Sequence, residues 1–216
     1  MEELFEIWSY TILALYALVF CLSIIKFQSY RHSPLMILPI ILFITLMAES
    51  LGMYFRDVLA APNIGIFNTY YFFYFSLFYF LFMKVIEEQR FKKFIKIGIG
   101  IFWMFYLRDL IFIDILNESF TASYIAGAGI LIFCITLYYI SILQSSKVLV
   151  VKNDLLFWIS VGLFLFYIGY LPIKIIRSWF YKENSFFWIL LIIQFSLIVV
   201  MYLCFLIGFL WMKKRS

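Results

Sequence analysis

A chain of 216 residues in which 66% are hydrophobic, 23% aromatic and only 13% charged, with a mean hydropathy of +1.04, has far more apolar side chain than a water-soluble domain of that size can bury. The composition points to an integral membrane protein, with room for about seven spans on short connections and none for a separate soluble domain. Its net charge of +5 does not argue for nucleic acid, because the basic residues fall in short loops between spans, where membrane topology already accounts for them.

The first predicted span covers residues 4–27, after Glu2, Glu3 and Glu6. The opening MEELFEIW lacks the basic head and small-residue cleavage site of a signal peptide, so this span is expected to be retained. The second covers 34–55, and the third, 66–85, follows the turn formers Pro62 and Asn63. The third is almost solid Phe and Tyr, and about 20 such residues without a turn signal read as a membrane helix rather than a strand. The charged loop EEQRFKK, opening at Glu87 and closing at Lys93, precedes the fourth span, 94–113, which carries Arg108 and Asp109 near its end. The fifth, 121–143, contains Ala126-Gly127-Ala128-Gly129, small residues that permit close approach of a neighbouring helix. The sixth, 155–180, holds Pro172 and is expected to kink there. The seventh covers 186–212 and is followed by KKRS. The fold expected is all-α: one transmembrane domain over residues 1–216, a seven-transmembrane-helix bundle. A parallel 3+1+3 repeat relating spans 1–3 to spans 5–7 is a further expectation, because spans 2 and 6 both place a polar element in the same third of the membrane.

Charge sets the orientation. With the N-terminus outside and the C-terminus cytoplasmic, twelve of the 17 basic residues fall inside, among them Lys26, Arg31, Lys84, Arg90, Lys92, Lys93 and Lys96, while only Glu87, Glu88 and Asp154 of the 12 acids do. That asymmetry satisfies the positive-inside rule. The scarcity of Ala beside abundant Phe, Ile and Lys suggests an AT-rich bacterial genome, hence a bacterial inner membrane.

Glu49 is the most informative residue in this frame. It lies about 15 residues into the second span, roughly 22 Å along the axis, still inside the hydrocarbon. An ionisable side chain there usually faces the bundle interior and marks a functional site. Thr45, Glu49, Gly52 and Arg56 form one polar stripe at i, i+4, i+7 and i+11. Glu49, Asn68, Arg108, Asp109, Tyr170, Lys174 and Gln194 all project to the outer third from several spans, which outlines an outward-facing polar pocket for a small or lipid-like ligand. Glu49 is expected opposite Lys174 or Arg108, with Asn68 or Gln194 within hydrogen-bond reach. The competing reading is structural, with Arg56, Lys174 and Arg177 snorkelling to the headgroups and Glu49 held in a packing ion pair. The polar faces of span 6 (Ser160, Tyr167, Tyr170, Lys174, Arg177) and span 5 (Ser123, Gly127, Cys134, Ser141) suit helix packing as well as binding.

Several chemistries are excluded by absence. His32 is the sole histidine, which removes multi-histidine zinc sites and Ser-His-Asp catalysis. No metal, cofactor or catalytic residue is assigned. Cys21, Cys134 and Cys204 lie inside apolar spans as packing residues. Lys174 stands near the end of span 6, unlike a retinal-binding lysine in mid-membrane.

The stretches AESLG (48–52), FNTYYFFYF (67–75) and DLLFWISVGLFLFYIGYLP (154–172) resemble a group of bacterial seven-helix membrane proteins, a likeness that implies the fold and carries over no chemistry. In bare topology the chain is also similar to seven-helix sugar transporters, rhodopsins and membrane lysoplasmalogenases, but the missing histidines, the lysine position and the lack of a PQ dipeptide match none of them. Three functions remain: a ligand-binding sensor or transporter; an accessory or effector subunit acting through homo-oligomerisation or a cytosolic protein partner at the Glu87 to Lys93 loop, for example in signalling or defence; and a lipid hydrolase using Glu49 with Asp109. Membrane lipids are expected partners in every case, and nucleic acid in none. Reporter fusions at Ser216 and within residues 87–93 are expected to report the cytoplasm and one near Asn117 the exterior; the reverse pattern would invert every outward assignment.

Overall fold

The structure is a computed structural model that describes residues 2–145, 151–179 and 185–212. Phe180 at the end of the sixth expected span and the terminal KKRS lie outside the described residues. Among the described residues the α helices are α1 (Glu2–Ile25), α2 (Leu38–Asp57), α3 (Ile64–Val85), α4 (Gln89–Phe112), α5 (Thr121–Leu143), α6 (Leu155–Trp179) and α7 (Ser185–Trp211), with short 3-10 turns at Phe27–Ser29 and Pro34–Ile37.

The all-α expectation holds, and six of the helices are long and apolar enough to cross a membrane. The exception is α4. Lys92, Lys93 and Lys96 sit in its first turns and Arg108-Asp109 near its end, leaving an uninterrupted apolar run of about 11 residues, or roughly 16 Å. The expected loop from Glu87 to Lys93 is also shorter than the charge pattern implied: the helix already begins at Gln89. Charge alone did not break the helix, because Lys, Arg and Gln are good helix formers.

Large apolar residues cover the outside of these helices. Ile25, Ile111 and Phe112 are all more than 70% exposed, and such a surface is stable in lipid and not in water.

The helices gather into two compact units, residues 1–31 with 149–216, and residues 32–148. The first therefore holds α1, α6 and α7, and the second α2 to α5, so each half of a 3+1+3 arrangement is divided between units.

In the four-helix unit α3 packs against α2, α4 and α5. Its Tyr74, Phe75, Phe78, Tyr79, Leu81 and Phe82 are buried. Phe75 meets Phe102 of α4 and Tyr124 of α5, each at 5.6 Å between ring centres, and edge-on pairs of this kind add to the area they bury. Gly127 makes room for that ring, since a Cβ there would lie 2.6 Å from Phe75 Cδ2. Tyr79 then donates from its hydroxyl to the Gly127 carbonyl at 2.6 Å. Of the small-residue run, Gly127 thus receives an aromatic ring rather than a helix backbone, and nothing lies within 4 Å of a Cβ at Gly129.

The close backbone approach occurs instead in the three-helix unit. A Cβ on Gly162 of α6 would stand 2.7 Å from the Met201 carbonyl oxygen of α7, and one on Gly169 would stand 2.8 Å from Leu197. At the far end of the pair Gly208 of α7 faces Trp158 and Leu155 of α6. Small residues bring backbones together where lipid provides no hydrophobic drive for association. On its other side α7 takes α1 through Trp8 against Phe195 at 5.9 Å and Tyr16 against Tyr202 at 4.5 Å. Helix α6 runs unbroken through Pro172, whose side is exposed.

Replacing Gly162 by Leu should destabilise the protein by about 3 kcal/mol or more, at the upper end of overpacking costs because a carbonyl oxygen cannot rotate away. Gly129→Ala, by contrast, should leave stability unchanged or raise it by up to about 1 kcal/mol through helix propensity. Thermal unfolding of both variants in one detergent checks the difference.

Candidate functional site

Most of the predicted site residues of the four-helix unit converge on the junction between α4 and α5. The problem solved there is general. The first N–H groups of a helix have no partner inside the helix, and water is not at hand to supply one. Helix α5 starts after Phe120, which has no side-chain oxygen to cap it.

Two side chains from other helices supply the acceptors. Asp109, near the end of α4 and fully buried, accepts from the Ser123 backbone N–H at 2.9 Å and from the Ser123 hydroxyl through Oδ2. Its Oδ1 accepts from Arg108 Nη1 at 2.9 Å, and Arg108 is itself 55% exposed. The negative charge thus stands at the positive end of the α5 dipole with a guanidinium on its other side, two of the few arrangements that make a buried carboxylate favourable.

Asn68, 1% exposed on α3, holds the loop that leads into the same helix. Its Oδ1 accepts from the Phe120 N–H at 3.0 Å, and its Nδ2 donates to the carbonyls of Ile115 and Glu118 at 2.9 and 2.8 Å. Tyr106 of α4 donates to the Asn68 carbonyl at 3.4 Å. In the loop itself Asp114 accepts from the Asn117 amide and the Leu116 N–H, and these bonds, led by the Asn117 amide, hold its carboxyl below the usual range.

Of the partners expected for Glu49, the two that belong to this unit are engaged elsewhere. Arg108 pairs with its neighbour Asp109, and Asn68 spends its amide on loop backbone. Arg56, one helical stretch beyond Glu49, forms its ion pair with Asp57. Both α2 and α4 thus end on an Arg-Asp pair closed between sequence neighbours.

Glu49 is half-buried on α2. One turn before it, the Thr45 hydroxyl donates to the Ile41 carbonyl and lies 3.1 Å from the Tyr70 hydroxyl of α3. Shortly after it, the Gly52 carbonyl accepts from Asn63 Nδ2 at 3.0 Å, and Phe67 closes over Gly52. Tyr70 continues into a group of rings with Tyr71 and Tyr74, and Tyr71 stacks edge-on to Tyr124 at 4.7 Å. Among the described residues of its own unit, Glu49 makes no hydrogen bond and no ion pair, whereas each of its neighbours along the stripe does.

The residues predicted in the three-helix unit have their own arrangement. Gln194 of α7 accepts through Oε1 from Arg177 Nη1 of α6 at 2.8 Å, and the same guanidinium lies 4.8 Å from the centre of the Phe187 ring. Tyr170 is buried and stacks on Phe166 at 5.2 Å, one turn from the half-buried Lys174. Arg177 is the residue that joins this group, and the sequence placed it on the same face.

At the opposite end of the four-helix unit sits a contact that sequence reading missed. The Glu88 carboxylate, just before α4, accepts from the Ser141 hydroxyl of α5 at 2.9 Å. The signal was there in part, since Ser141 belongs to the polar face of the fifth span. Of that face, Ser123, Gly127 and Ser141 each serve a neighbouring helix. Among the described residues no group of His, Cys, Asp and Glu could hold a metal ion.

The fold and these sites define a multi-pass helical membrane protein. Neither a protein-family model, nor a curated protein, nor a solved structure matches the chain.

Removing the cap should be costly out of proportion to its size. Asp109→Ala loses three hydrogen bonds and strands the Ser123 N–H, for an expected loss of about 2 to 4 kcal/mol. Ser123→Ala, which keeps the backbone bond, should lose about 1 kcal/mol. In the double variant the two losses should not add, and unfolding free energies for the full cycle measure that coupling.

Proposed function

We propose that the protein is a bacterial inner-membrane protein, N-terminus outside and C-terminus cytoplasmic, that binds a small or lipid-like ligand bearing a positive charge in the outer third of the membrane, as a sensor or transporter. The observation that carries this reading is the Glu49 carboxylate. A charged group at the centre of a spanning helix costs about 2.5 to 3.5 kcal/mol on insertion scales, and proteins retain such a group where it is either paired or used. Asp109 is paired. Within its unit Glu49 makes no contact ion pair, feeling only the Arg56 guanidinium that is closed on Asp57, and one turn before it the Thr45 hydroxyl meets that of Tyr70, a pair of oxygens that could orient a bound ammonium group.

The hydrolase alternative has less support. It needs Asp109 as a second acid/base group, and both oxygens of Asp109 are committed to Arg108 and Ser123. A carboxylate whose oxygens are already bonded to three donors is not free to reach a substrate.

The test uses a hydrophobic carbodiimide, which modifies carboxyl groups in apolar surroundings, and a long-chain alkylammonium as competitor. Wild-type protein should acquire the label at Glu49, the alkylammonium should protect it, and Glu49→Gln should fold normally without labelling. At roughly 100 times its Kd the amphiphile should also stabilise the wild type by about 2.7 kcal/mol and the variant not at all. Equal stabilisation of both proteins, or labelling that the amphiphile leaves untouched, would remove Glu49 from the binding site.

A further inference from the structure

The start of α4 carries a charge pattern that helix stability does not explain. Arg90, Lys93 and Lys96 are exposed within its first two turns, just past Lys84 at the end of α3. Cations at a helix N-terminus oppose its dipole, so each of them works against the helix that carries it. The acids that adjoin them in the chain are Glu87 and Glu88, and the Glu88 carboxylate accepts from Ser141.

Their placement around the helix is equally specific. Ile95, Gly98, Phe102, Tyr106 and Asp109 form the buried face, and Lys93 lies opposite it with Arg90 and Lys96 flanking Lys93 on either side. That outward face continues through Ile97 and Met104, both exposed. A cationic turn is thus followed directly by an apolar stripe, the order in which a membrane presents headgroup phosphate and then hydrocarbon.

We propose that the exposed cations at the start of α4, with Lys84, form a docking surface for anionic phospholipid headgroups, seating this short-spanned helix by its phosphate contacts. The proposal rests on the membrane placement of the chain and not on Glu49 as a ligand site. A lysine or arginine at this depth gains from an anionic leaflet and gains little from a zwitterionic one. The arrangement also accounts for an apolar run in α4 too short to cross the hydrocarbon unaided, since the basic side chains can reach outward to the phosphates while their stems stay in the apolar layer.

The experiment uses the full chain purified in micelles doped with equal amounts of dioleoyl phosphatidylglycerol and dioleoyl phosphatidylcholine, with the lipid retained through chromatography quantified by mass spectrometry. Wild type should retain the anionic lipid in preference by roughly tenfold or more, and Arg90→Gln/Lys93→Gln/Lys96→Gln should bring the ratio close to one. The charge-preserving Lys93→Arg/Lys96→Arg should keep the preference. If the triple variant does not fold, the wild type still decides: the preference must fall steeply between about 50 mM and about 500 mM salt. A preference unchanged by salt or by the triple substitution overturns the proposal. So does retention of phosphatidylcholine alone, an outcome that still marks a membrane protein and leaves the Glu49 reading standing. A soluble acidic protein crosslinked stoichiometrically to Lys93 in cells, with no lipid preference in micelles, overturns it in favour of a protein partner.

Discussion

A helix that begins in an apolar medium must find acceptors for its first N–H groups, and the four-helix unit is arranged around one answer to that requirement. Helix α5 has no usable side chain at its own start, so α3 lends Asn68 and α4 lends Asp109. Both donors of capping oxygen sit on helices that pack against α5. The cap is therefore also a tie between three helices. Local structure and tertiary structure cannot be separated there, because breaking the packing uncaps the helix and uncapping the helix strands a buried charge.

The two units solve the problem of cohesion by different chemistry. In the four-helix unit large rings interlock, with Gly127 hollowed out for Phe75 and its carbonyl taken by Tyr79. In the three-helix unit glycines on α6 and α7 remove side chains from the contact, and the backbone of one helix approaches the other. Lipid competes well for apolar side chains, so neither interface can rely on exclusion from water. Shape, ring geometry and hydrogen bonds to carbonyls have to supply the selectivity instead.

The spans were legible because length and hydropathy are written into every residue of them, and α2, α5 and α7 fall within a few residues of their expected bounds. The boundary of α4 was not, because a run of Lys and Arg reads as a loop by charge but as a helix by propensity. Asn68 and Asp109 were legible as exceptional, and their role was not. A capping contact across some 14 to 52 positions leaves no periodic trace, and the loop carbonyls that Asn68 receives belong to residues whose side chains are irrelevant. Gly162 and Gly169 recur seven apart, a spacing that does put two glycines on one helix face, yet such a pair is a fainter signal than four consecutive small residues at 126–129. That run looked like a backbone contact only because small residues report available space and say nothing of what fills it.

Glu49 differs from every polar residue discussed above in what its neighbours do. Thr45 returns its proton to the helix, Gly52 receives Asn63, and Arg56 closes on Asp57, so the stripe on α2 is internally satisfied on both sides of the one carboxylate. A side chain kept only for packing at that position could be apolar, and would then spare the chain the insertion cost of a charge. A side chain kept only for pairing would resemble Asp109, fully buried and triply bonded. Within its unit Glu49 lacks the three donors that hold Asp109, so its hydrogen-bonding capacity is not spent on the helices that pack around it.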